Sequence, residues 1–147
     1  MAWRILDHTA DIGLVVEEKN LSRAFATAAE AMFRIMIDGE LGSGEEREIH
    51  LEASDPGALL VDFLSELLFL FDTEGFVVSS ADVRVEKKDV RGKGVMGGGE
   101  KKWSLIAILR GEKFSRDRHA IAFEIKAVTY HMLDVSEDGR ITVLFDI

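Results

Sequence analysis

Cysteine is absent from the 147 residues, which excludes disulfide scaffolds, thiolate zinc sites and cysteine nucleophiles. The absence fits a reducing, cytoplasmic compartment. No run reaches the roughly 18 uncharged apolar residues of a membrane span, and no basic-then-apolar leader opens the chain. The expectation is a cytoplasmic protein without membrane contact. Positive charge is also scarce: 18 Lys and Arg stand against 27 Asp and Glu, a formal net charge of −9. Long-range attraction to a phosphate backbone then has the wrong sign, so RNA or DNA is reached through a local patch or a partner. Gly92-Lys93-Gly94-Val95-Met96-Gly97-Gly98-Gly99 fits neither Walker A spacing nor a strand–GxGxxG–helix context. It reads as a long hairpin loop, and no nucleotide is expected to bind this chain alone. Ser22, Ser65 and Ser104 sit in no nucleophile-elbow context, so serine-hydrolase chemistry finds no support.

What remains is enough for a conventional core. A chain of this length buries roughly 70% of its unfolded surface and needs no staple, and one domain over residues 1–147 is expected. Short strands are predicted at 3–7 and 12–17. Asn20 is an N-cap candidate for a helix to about residue 37, with Leu21, Phe25, Ala28, Met32 and Met36 at helical spacing. Residues 47–53 alternate as a half-buried strand. Asp55 as N-cap and Pro56 at the first helical position open a second helix to about residue 73, closed by Gly75. Strands are predicted near 76–87, 102–110, 120–127, 129–135 and 140–146, the last two joined by a tight turn at Asp138-Gly139. Two helices followed by antiparallel strands argue an α+β fold in two layers, both helices packed on one face of a mainly antiparallel sheet.

Two acidic segments bracket this pattern. Near the start stands Asp7-His8-Thr9-Ala10-Asp11-Ile12-Gly13. At the other end Asp146 and Ile147 follow the apolar run Ile141-Thr142-Val143-Leu144-Phe145. Carboxylates at the tip of a buried strand need a partner. A hard divalent cation (Ca²⁺, Mg²⁺ or Mn²⁺) suits oxygen ligands from Asp7, Asp11, Asp146 and the Ile147 main-chain carboxylate, whereas adding His8 tilts the site toward a transition metal. The ordinary alternative is a capped turn, in which Asp and Thr accept backbone N–H groups. The metal reading requires that the last strand return beside the first.

Other candidates are weaker. Lys126 alternates with Glu124 in Ile121-Ala122-Phe123-Glu124-Ile125-Lys126, which fits a solvent-facing side chain; the alternative is a cation beside the acidic cluster. His131 is a ligand or base only if a partner group is present. Gly111-Glu112-Lys113-Phe114-Ser115-Arg116-Asp117-Arg118-His119 reads as a charged loop whose glutamate can join a site at the same end of the sheet. Trp3 and Trp103 lean toward exposure, with core packing as the default.

Leu6-Asp7-His8-Thr9-Ala10-Asp11-Ile12-Gly13, Ala24-Phe25 with Ala31-Met32-Phe33, Leu59 through Leu68, Gly111-Glu112, Lys126-Ala127-Val128-Thr129-Tyr130 and Phe145-Asp146-Ile147 together resemble the archease family. The resemblance runs in order along essentially the whole chain. It implies a non-enzymatic protein that activates an RtcB-type RNA ligase in tRNA splicing. The implied role is to promote guanylylation of the ligase and its multiple turnover, with RNA met only through the ligase. It implies metal ligation by Asp11 and Asp146 with Ile147, and less firmly by Asp7 and His8. Lys126 matches a lysine the family treats as functional, and Glu112 matches a Gly-Glu pair of the family and is taken with it as a functional candidate. The turn Glu17-Glu18-Lys19-Asn20 departs from relatives that carry Gly before the first helix. Two rival readings stand beside this one: a metal-dependent phosphoester hydrolase, and a chaperone-like module for RNA-processing enzymes.

Overall fold

A computed structural model describes residues 3–7, 11–90 and 100–147, without the side chains of Asp7, Asp89, Val90, Glu100 and Lys101. His8 and the glycine-rich stretch 92–99 lie outside the described residues. Strands β1 (Trp3–Asp7) and β2 (Asp11–Glu17) lead into α1 (Leu21–Met36), β3 (Ile37–Asp38), β4 (Glu45–Ala53) and α2 (Pro56–Glu74). They are followed by β5 (Phe76–Val90), β6 (Glu100–Lys113), β7 (Ala120–Ile121), β8 (Ala127–Ser136) and β9 (Arg140–Asp146). All strand pairs are antiparallel. The expected α+β class is what forms, with the strands divided among sheets of order β1-β2-β9-β8, β4-β6-β5 and β3-β7.

Local chemistry sets the helix ends. The Asn20 side chain accepts from the Arg23 N–H at 2.9 Å, and that of Asp55 from the Ala58 N–H at 2.8 Å. Each satisfies a donor that a helix start leaves open. Gly75 closes α2 in the left-handed region at φ 69°, where its N–H reaches Phe71 O. The Phe25 and Phe63 rings stack at 6.2 Å between the helices, and Phe71 bridges Phe33 and Phe114 edge-on. Leu14, Val16, Val143 and Phe145 of the four-stranded sheet join the same buried cluster as both helices. α1 also covers the free edge of β5: Glu30 accepts from the Ala81 N–H at 3.0 Å and Ser22 from the Val85 N–H at 2.9 Å.

The β8–β9 hairpin closes through Glu137-Asp138-Gly139, with Ser136 paired to Arg140 and Gly139 N–H donating to Ser136 O at 3.0 Å. Gly139 has φ 110°, and a Cβ there would lie 2.4 Å from Glu18 O. Only glycine fits, because the turn packs against the loop that starts α1.

Three expectations are corrected. Residues 122–126 are not strand; only Ala120 and Ile121 are. The N–H groups this stretch would give a ladder go elsewhere, Ala122 to Met36 O and Lys126 to Asp146 O, both at 2.7 Å. Gly111, Glu112 and Lys113 belong to β6 rather than to a loop. Trp103 is buried, with the Lys87 ammonium 5.3 Å from its ring centroid, and Trp3 is partly buried against the core.

Candidate functional site

The antiparallel register brings the two acidic segments together. β9 lies between β2 and β8, so Asp11 is the direct cross-strand partner of Asp146, and Asp146 of Ala127. One row further in, Ile12, Phe145 and Val128 face one another and are all buried. Side chains alternate along a strand, so Asp11, Asp146 and Ala127 share the opposite face. The last strand thus returns beside β2, the second strand, rather than beside β1.

Direct cross-strand partners have Cβ atoms about 4.5–5.5 Å apart, and like charges so placed repel. Both aspartates are partly buried, which limits screening by water. An ion between them would convert that repulsion into ligation, so this pair fits a hard cation with oxygen ligands. Among the described residues, no group of three or more His, Asp or Glu side chains is placed to hold a metal. Asp7 ends β1 as the cross-strand partner of Ile12, at the same end of the sheet. Ile147 is partly buried and packs on the core next to Asp146.

Lys126 is exposed, and its backbone N–H donates to Asp146 O at 2.7 Å. The lysine is therefore fixed at the acidic strand end although it lies outside the ladder. His131 is exposed in an irregular part of β8, and no charged partner reaches it among the described residues. Glu112 sits in a separate, largely buried cluster. Its carboxylate accepts from the Gly42 N–H, pairs with Arg118, and meets His119 Nε2 at 3.2 Å. The His119 ring is fully buried, and its Nδ1 accepts from the Ser115 N–H at 2.9 Å. Nε2 therefore carries the proton and faces both Glu112 and Glu40 O, the latter at 3.1 Å. Glu112 ties the loop around Gly42 to the turn at 115–119, with its oxygens already engaged. Sequence reading missed His119, whose only signal was its place in a charged stretch.

An open depression of about 490 Å³ lies on the three-stranded sheet and is lined by residues such as His50, Glu52, Arg84 and Ile106. None of the residues selected from sequence lines it. Glu52 pairs there with Lys102 at 2.5 Å, a hydrogen bond that holds its carboxyl below the usual range. On the same face Arg110 bonds Asp82 at 2.7 Å, which raises the arginine's pKa. Charges of both signs answer one another on this face, as on an ordinary solvated sheet.

Fold and site together define a class: a small α+β protein that presents a paired-acid strand end from an antiparallel sheet. Residues 3–147 match the model of the Archease protein family, and the chain belongs to that family. It is 38% identical over 136 residues to protein archease of Methanosarcina mazei, covering 92% of this chain and 86% of that one. It is 35% identical over 141 residues to protein archease of Pyrococcus abyssi, covering 94% and 92%. The solution structure of Methanobacterium thermoautotrophicum protein 1598 superposes with a TM-score of 0.68 at 30% identity, covering 99% of this chain and 98% of that one.

Proposed function

We propose that this protein is a non-enzymatic activator of an RtcB-type RNA ligase in tRNA splicing, promoting ligase guanylylation and repeated turnover. Membership in the archease family supports an accessory role in RNA processing. The observation that carries the finer reading is the direct pairing of Asp11 with Asp146 on one sheet face, with Lys126 held at the same strand end. In this reading Asp11 and Asp146 hold a divalent cation, Ca²⁺, Mg²⁺ or Mn²⁺, with Ile147, Asp7 and His8 as further candidates. When bound, the cation neutralises the two carboxylates and offers Lewis-acid positions to phosphate oxygens. The chain's own residues fix where that charge sits, and Lys126 supplies a cationic group beside it.

The test is a guanylylation assay of the ligase from the same organism, with and without this protein. Wild type is expected to raise the rate, and Asp11→Ala or Asp146→Ala to abolish the increase while far-UV spectra stay unchanged. Full stimulation by either variant would sink the site assignment. Metal-dependent turnover of a phosphoester by this protein alone would replace the accessory reading with a hydrolase. Suppression of client aggregation that is insensitive to Asp146→Ala would replace it with a chaperone-like module.

A further inference from the structure

Strand β8 does not run true. Thr129 pairs with Leu144 and Asp134 with Thr142, so the stretch 130–133 stands opposite Val143 alone. Such a bulge redirects side chains out of the ladder. Leu133 turns inward: it packs against the core, and the absence of a side chain at Gly57 leaves room for it. The three residues before it are thrust outward. Tyr130 is 61% exposed and Met132 56%, and His131 between them is exposed too. Met132 is also the one non-glycine residue with positive φ among the described residues, at 56°. A side chain held in that region marks a position over-determined by its surroundings.

β8 is an edge strand, and bulges commonly blunt edges against stray pairing. That task is usually served by Lys, Pro or inward charge. Here the extruded residues are Tyr, His and Met, and Tyr and Met are enriched where proteins meet. Their place matters as much as their chemistry. Ala127, the first residue of the same strand, pairs with Asp146, and Tyr130 follows at about 10 Å along the strand. Phe123, 47% exposed, precedes Lys126 by three residues in the chain. A standard interface covers about 800 Å² per partner, a patch wide enough to include both the acidic pair and the bulge.

We propose that the Tyr130–Met132 bulge, with Phe123, is the surface through which this protein docks on its RNA ligase, and that it sets the acidic strand end against that partner. The inference rests on the accessory reading above. The occupant is a protein surface with an apolar recess for Tyr130 and Met132 beside a basic rim. The basic rim follows from charge complementarity: the chain carries −9, and the bulge adjoins Asp11 and Asp146.

The experiment uses the double variant Tyr130→Ala/Met132→Gly, in which glycine accepts the positive φ so that the backbone path survives. Affinity for the ligase of the same organism, stimulation of its guanylylation, affinity for single-stranded RNA without ligase, the Mn²⁺-dependent rise in Tm, and the sedimentation coefficient are measured for the wild type, this variant, Tyr130→Phe and Asp146→Asn. The double variant is expected to bind the ligase about tenfold or more weakly, with its Mn²⁺-dependent Tm rise unchanged. Tyr130→Phe should bind nearly as wild type does. Ligase affinity equal to wild type in the double variant overturns the docking surface, and the accessory reading survives if Asp146→Asn still abolishes stimulation. No ligase binding by the wild type overturns both. A wild-type dimer that the double variant breaks assigns the bulge to self-association instead. Loss of single-stranded RNA binding that the wild type shows without ligase assigns it to RNA.

Discussion

Two aspartates set side by side across a ladder repel in the absence of an ion and cooperate in its presence, so one substitution should have opposite signs in two buffers. In chelator, Asp146→Asn removes the repulsion and should raise stability by about 0.2–1 kcal/mol. With Mn²⁺ near 100 times its dissociation constant, the wild type should gain about 2.7 kcal/mol and the variant little. Thermal unfolding of both proteins in EDTA and in Mn²⁺ checks this; an unchanged order of Tm values contradicts shared ligation. Glu112 makes a different prediction, because its carboxylate is already engaged. Glu112→Ala leaves the Gly42 N–H without its partner and His119 Nε2–H with Glu40 O alone and should cost about 1–3 kcal/mol. The urea midpoint should fall while the slope of the transition stays constant. The place of Asp11 and Asp146 at strand ends was legible in sequence because each borders a largely apolar run. The surroundings of Glu112 were not, since Gly42 lies 70 residues away and nothing local announces the contact.

At the scale of elements, capping chemistry was the most readable part of the chain. Asn20, Asp55, Pro56 and Gly75 mark helix ends within a residue or so of where they form, because each acts on its own few backbone groups. Asp55→Ala should cost about 1 kcal/mol, read from chemical denaturation. Gly139→Ala should cost more than about 1 kcal/mol, since alanine meets both a positive φ and the Glu18 carbonyl. The stretch 120–127 was misread for a reason of the opposite kind. Its apolar alternation is real, but Ile121 and Phe123 are exposed. The carbonyls of Met36 and Asp146 take N–H groups that a neighbouring strand would otherwise claim. Periodicity reports which faces are apolar and is silent on what captures the backbone. The bulge in β8 was invisible for the same reason, since its register depends on β9.

For the molecule as a whole, net charge and topology govern behaviour. With −9 on the chain, association with a basic partner should be fast at low salt and slow as ionic strength rises. Stopped-flow association with the ligase at about 50 and 500 mM NaCl should show an on-rate falling by an order of magnitude or more, with a smaller change in the dissociation rate. A salt-independent on-rate would argue against electrostatic steering. The α+β class was readable because two capped helices precede a series of strands. The division into separate sheets and the order β1-β2-β9-β8 were not, since both are settled by long-range pairing.

That order has a consequence for biogenesis. β9 is the central seam between β2 and β8, so both neighbours emerge from the ribosome before the strand that joins them. Until residues 140–146 arrive, Asp11 has no facing carboxylate and Ala127 no ladder partner. A chain truncated before residue 140 would therefore lack the acidic pair altogether.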